Sequence, residues 1–206
     1  MAVFYEAAGS DDCYRRLTTA IWSLSSEYLA VGYNGAANKQ WGVGMRFVNV
    51  TIPKGSTILT AKLTLQAYAS DSNGGVNTRI SAEAVDDPAT FADNAGVFDT
   101  RWANRTAQVD WDNIESWTIG EDYDSVDFAA VIQAIVNRAG WASGQDIVIF
   151  WEDFEDRSTQ AAGRFRRAKS YENTDNAPPT LTITWDEPQA AGGQGGPAAL
   201  VAAGVI

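Results

Sequence analysis

Residues 125–153 read SVDFAAVIQAIVNRAGWASGQDIVIFWED, and two elements follow from this one stretch. Phe128, Val131, Ile132, Ile135 and Val136 recur at spacings of three and four. That periodicity puts five large apolar side chains on one stripe of a helix. Ser125 or Asp127 can cap its start, since either side-chain oxygen can accept from an unpaired first-turn amide. Gly140 follows the last periodic residue, where a left-handed cap would stop the helix. After a turn at 142–144 comes Ile147-Val148-Ile149-Phe150-Trp151, an apolar run that suits a strand covered on both faces. A helix with one apolar stripe must lie on another layer, and the nearest is a sheet containing this strand.

Working outward, residues 58–69 give the clearest alternation, with Leu59, Ala61, Leu63, Leu65 and Ala67 on one face. The Asn/Gly turn at 71–75 then predicts that 76–85 returns as a hairpin partner. Residues 41–50 also alternate, with Val43, Met45, Phe47 and Val50 against Gly44, Arg46 and Asn49, and with a slip near the end. Shorter strands are expected at 3–5, 28–32, 106–111, 164–171 and 181–185. Residues 91–104 read as irregular, and 114–125 as a loop studded with acids. Roughly eight short strands and one helix predict an all-β fold: an antiparallel jelly-roll β-sandwich with one crossover α-helix. Nothing repeats, so residues 1–187 are expected to form one domain. Residues 188–206 carry no charge and are rich in Gly and Ala, which marks them as a tail. Its apolar end, Leu200, Val201, Val205 and Ile206, suits docking on a partner protein or a sheet edge.

Composition removes several classes of function. With 26 acids against 15 bases, the net charge is −11, which repels nucleic acid and anionic lipid. No stretch nears the ~18 apolar residues that would span a bilayer. The single cysteine, Cys13, excludes an intrachain disulfide and reads as a buried or partly buried thiol. The first dozen residues lack the basic start and apolar run of a signal peptide, so synthesis in a host cytoplasm is expected. There is no histidine, which removes the His-based nucleophilic triads and nearly all zinc chemistry. Carboxylate pairs and hard-cation sites are what remain.

Each candidate site has a plain alternative. Glu121, Asp122, Asp124 and Asp127 could line a calcium loop, because hard cations take several carboxylate oxygens. The plain reading is acids favouring the positive end of the helix that follows. Glu152, Asp153, Glu155 and Asp156 precede Arg164, Arg166, Arg167 and Lys169, which suggests cross-strand ion pairs within a hairpin, or a charged contact patch. Asp110 and Asp112 flank Trp111, and a glycosidase needs two carboxyls ~5–10 Å apart, but a chain with this many acids supplies chance pairs freely. Trp22, Trp41, Trp102, Trp111 and Trp117 fall in or beside loops. Exposed, they could stack on sugar rings; buried, they plug the ends of the sandwich.

The order of these features resembles a known group. Met45-Arg46-Phe47 precedes the phrase IPKGSTI at 52–58 and AKLTL at 61–65; WASG at 141–144 and APPTLTI at 177–183 come later. This is similar to the DNRLRE-type β-sandwich domains, related in form to carbohydrate-binding modules. It looks closer still to uncharacterised bacteriophage-associated and environmental proteins with IPxGxxI and RISAE segments. The likeness covers about residues 10–186, and the name-giving motif is not intact here. It implies a jelly roll that displays or coats a surface, with no catalytic residue to carry over. The expected function is therefore a non-enzymatic structural protein, a virion component such as a capsid decoration or tail-associated subunit. Its partners would be copies of itself or other virion proteins, with no cofactor required. The alternative is a carbohydrate-binding module using Trp22, Trp41, Trp102 and Trp117, with calcium as a possible ligand.

Overall fold

The computed structural model describes residues 1–189. Among them are β1 (Ala2–Tyr5), β2 (Asp12–Arg16), β3 (Ile21–Ser23), β4 (Tyr28–Tyr33), β5 (Trp41–Val50), β6 (Thr57–Gln66) and β7 (Thr78–Ala82). Then come α1 (Ala95–Ala103), β8 (Val109–Trp111), β9 (Asp122–Asp124), α2 (Ala129–Val136), β10 (Gln145–Glu152), β11 (Arg164–Lys169) and β12 (Thr180–Asp186). The strands form two antiparallel sheets. One has the order β1-β12-β6-β9; the other runs β11-β4-β5-β10-β7-β8, with β2 and β3 attached through β5. Their facing sides share one core. Ala61, Leu63, Leu65, Leu181 and Ile183 come from the first sheet, and Val43, Met45, Phe47, Ile80, Ile149 and Trp151 from the second. Burying each such large side chain is worth about 1.5–3 kcal/mol, so this shared layer is the main reason the sheets stay together. The fold is all-β and sandwich-like, as expected, though with two helices where one was expected.

β10 is covered on both faces, as its unbroken apolar run predicts. Ile147, Ile149 and Trp151 enter the main core, while Val148 and Phe150 enter a second core with Cys13, Phe91, Phe98 and Phe154. The cover over this second face is α1, in a region expected to be irregular. Its only buried residue is Phe98, whose ring meets Phe150 edge-on at 5.5 Å, so its periodicity was faint in the sequence. Asn94 caps α1 through its side-chain oxygen, which accepts from Gly96 N at 2.9 Å. Gly44 makes room for this layer: a Cβ there would lie 2.4 Å from the Phe91 ring.

α2 presents the expected stripe of Val131, Ile132, Ile135 and Val136, and packs on β6 of one sheet and β7 of the other. Asp127 Oδ1 accepts from Ala129 N and also from Ala61 N, both at 2.9 Å, tying the helix start to β6. Ser125 instead accepts from Leu63 N. Gly140 is not a left-handed cap, since its φ lies outside the positive region. It is small for another reason: a Cβ would fall 2.1 Å from Asp86 Oδ2, the partner of Arg138.

Two expected pairings and one expected facing are corrected. β6 and β7 are not a hairpin; the chain crosses between sheets at 67–77, and β6 pairs β12 and β9 while β7 pairs β10 and β8. β10 and β11 are not neighbours either, because β11 pairs β4. Leu59 does not share the inward face. An extra residue in β6, opposite the step between Thr184 and Trp185, turns Leu59 outward and Ile58 inward. The slip read in β5 is also a bulge: Phe47 and Val50 pair with Ile147 and Gln145, and Asn49 takes φ +52°.

Candidate functional site

The outer face of the four-stranded sheet carries a cleft of about 470 Å³. Its floor follows from the register. Tyr5, Thr180 and Thr64 lie side by side across β1, β12 and β6, and Gln66 pairs with Asp122 beyond them. The segment after β11 raises one wall, from Tyr171, Asn176, Ala177 and Pro178. Several floor groups are already paired. Thr64 Oγ1 donates to Asp124 at 2.7 Å, and Gln66 Nε2 donates to Asp122 Oδ1 at 3.0 Å. Lys169 Nζ donates to Gln66 Oε1 and pairs with Asp175, both at 2.6 Å. The side-chain polar groups of Tyr5, Thr180 and Asn176 engage no partner among the described residues.

Behind the cleft lies a line of carboxyls. In β1, Phe4 points inward and Tyr5 outward, so the same alternation turns Glu6 inward, where it is buried. No hydrogen-bond donor of the described residues meets either Glu6 oxygen. Burial, with Asp12, Asp11 and Glu172 nearby, pushes its pKa well above the usual carboxylate range. Asp12 is pushed up to about 8, chiefly by burial, with Glu172 and Asp11 adding to the effect; its Oδ2 accepts from Tyr171 N at 2.8 Å. Burial raises Glu172 as well. The arrangement favours the protonated forms, because these like charges have little water to separate them. Arg46 serves Asp11 (2.7 Å), which is itself buried, and also bonds Asp146 and the Pro88 carbonyl.

The residues expected to bind calcium do not converge. Asp122 and Asp124 lie on β9 and bond Gln66 and Thr64, Asp127 serves two backbone amides, and Glu121 is exposed. Among the described residues, no group of three or more Asp, Glu, Cys or His is placed to share a metal ion. The second acidic cluster is not paired with β11. Asp156 pairs with Lys39 and Glu155 with Arg79, while Glu152 accepts from Gln108 at 2.7 Å and Asp153 from Arg157 N at 2.6 Å. On β11, Arg167 pairs with Asp71, and the fully buried Arg166 donates to the carbonyls of Ile114, Glu115 and Phe165. Arg157 clamps both Asp110 and Asp112 at 2.9 Å, which commits the imagined glycosidase pair to an ion-pair network.

The tryptophans form no exposed row. Trp41 and Trp117 are buried, the latter stacked on Tyr123 with centroids 5.0 Å apart, and Trp111 is stacked on Trp151. Trp22 and Trp102 are half-buried against the second core, where Trp22 Nε1 donates to Asp93 and the Arg105 guanidinium covers Trp102. Leu200, Val201, Val205 and Ile206 lie outside the described residues. Cys13 is buried with its thiol aimed at the Gly44 carbonyl, and burial pushes its pKa well above the ordinary value. A second hollow of about 450 Å³ lies by Tyr14, Tyr28 and Trp41, where Arg16 bonds Asn38 and covers the indole.

Sequence inspection missed the cleft because its parts come from residues 5–6, 64–66, 122 and 171–180. The alternation Phe4-Tyr5-Glu6 was the one local signal, since it places an acid on an inward face. A scan against protein-family models finds no match, and no curated protein matches the chain. No helix of the described residues is long and apolar enough to cross a membrane.

Proposed function

We propose that this chain is a non-catalytic structural protein: a jelly-roll subunit of a virus particle, attached to a capsid or tail and assembling through its surface and residues 188–206. The observation that supports this reading is the use made of charge. Arg15–Asp99, Arg46–Asp11, Arg101–Glu83, Arg157–Asp110 and Arg167–Asp71 each join segments far apart in the chain, at 2.6–2.9 Å. Arginine suits this role because its fork bonds carboxylates in fixed geometry. These side chains therefore hold α1 and the loop segments to the sheets, as a rigid building block requires. Mass spectrometry of purified particles from cells carrying the gene is the test. A stoichiometric band supports the reading, and particles that lack the protein overturn it.

The cleft on the four-stranded sheet supports a second reading, a carbohydrate-binding module. In this form the loop tryptophans are not the platform, because Trp41 and Trp117 are buried.

A further inference from the structure

We infer that the outer-face cleft of the four-stranded sheet is a neutral-saccharide site, in which Tyr5 and Tyr171 stack on sugar rings while Thr180, Asn176 and Asp122 bond their hydroxyls. This rests on the carbohydrate-binding reading and is independent of the structural one.

Four features carry it. First, both rings are open and line the cleft: Tyr5 is 55% and Tyr171 38% exposed, the latter held by its hydroxyl, which donates to the Ala7 carbonyl at 3.1 Å. A sugar's C–H face packs on an aromatic face, and tyrosine offers that face with a polar tip. Second, among the described residues the hydroxyls of Tyr5 and Thr180 and the amide of Asn176 engage no partner, and Asp122 has only Oδ1 engaged, by Gln66. A purely apolar ligand would cover these groups and leave them unpaired, at a cost in affinity. A polyhydroxyl ligand satisfies them.

Third, charge selects the class. Lys169, whose ammonium bonds the lining residue Gln66, is also held by Asp175, and no Lys or Arg of the described residues lines the cleft. Asp122 and a net charge of −11 oppose phosphate, sulfate and sialic acid. Fourth, the cleft's volume lies within the ~300–1,000 Å³ of small-molecule sites, and its backing strands fix its shape. Two carboxyls line the cleft: Glu6 is buried, which raises its pKa well above the usual carboxylate range, and Asp122 is exposed.

The test is a glycan array probed with the full chain, followed by calorimetry on the strongest neutral oligosaccharide, for wild type, Tyr5→Ala, Asp122→Asn and Trp22→Ala. Among the described residues the Tyr5 hydroxyl makes no hydrogen bond and its ring is 55% exposed, so Tyr5→Ala is expected to fold; tryptophan fluorescence and melting check this. The expected result is binding to neutral glycans, weakened at least tenfold by Tyr5→Ala and by Asp122→Asn, and unchanged by Trp22→Ala. If a neutral glycan binds, but only Trp22→Ala weakens it, the carbohydrate reading stands and this site falls. If only sulfated or sialylated glycans bind, the assigned chemistry falls. A wild-type chain that binds no glycan overturns the site and the carbohydrate reading together.

Discussion

The carboxyl line behind the cleft makes a prediction about pH. Asp12 has an ordinary pKa of 3.8 and is pushed up to about 8 in the folded chain, with Glu6 and Glu172 raised beside it. The folded state thus keeps a proton on Asp12 that the unfolded state has released. The stability this gives is complete below the unfolded pKa. It dwindles as pH rises and is gone above about 8, where both states have lost the proton. Within that window each pH unit costs about 1.4 kcal/mol for one such group, so the step from pH 5 to pH 7 removes about 3 kcal/mol. Asp12→Asn presents a permanently neutral side chain that can still accept from Tyr171 N and donate to a neighbouring carboxyl. It therefore removes one proton's worth of slope and is expected to be more stable than wild type at pH 7. The assay is urea unfolding followed by tryptophan fluorescence at pH 5, 6, 7 and 8. Wild-type stability falls steeply across the series, and the variant falls less steeply by about 1.4 kcal/mol per unit. Parallel curves would refute the reasoning, since they would mean that Asp12 titrates alike in both states.

Other substitutions test the packing. Arg166 is fully buried and bonds three carbonyls without a carboxylate partner, and Arg166→Ala strands those acceptors and leaves a cavity. A loss of about 3–5 kcal/mol in denaturant unfolding is expected. Leu59→Thr is expected to change stability by less than about 0.5 kcal/mol, because the bulge leaves Leu59 half exposed. Leu63→Ala, on the inward face of the same strand, is expected to cost about 2–5 kcal/mol. Equal effects at the two positions would mean that β6 runs without its bulge. Phe98→Ala removes the one buried anchor of α1 and is expected to cost about 3–5 kcal/mol, with the quench of Trp22 or Trp102 fluorescence altered.

How far the sequence could be read depended on whether the deciding contacts were local. β10 was legible because burial on both faces demands an unbroken apolar run, and Ile147 to Trp151 supplies one. α2 was legible from its stripe, and the slip in β5 from the break between Phe47 and Val50. Strand pairing was not, because it depends on which edge a strand finds after a loop. The Asn/Gly segment at 71–75 looks like a hairpin turn yet carries the chain from one sheet to the other. Residues 122–124 looked like acid-rich loop because a short edge strand with one solvent face needs few apolar residues. The cleft and its carboxyls join positions 5, 6, 12, 122 and 172, so no local window contains them. The tryptophans misled for a related reason: loop residues of a sandwich can fold back over its ends, as Trp117 does on Tyr123.

The central proposal is that the chain works by assembling, and its most direct test is solution mass by light scattering. The comparison is between the full chain and a version ending at Glu187, over a range of concentrations. The account predicts an oligomer for the full chain and a monomer of unchanged stability for the shortened one. Two monomers at every concentration would contradict it.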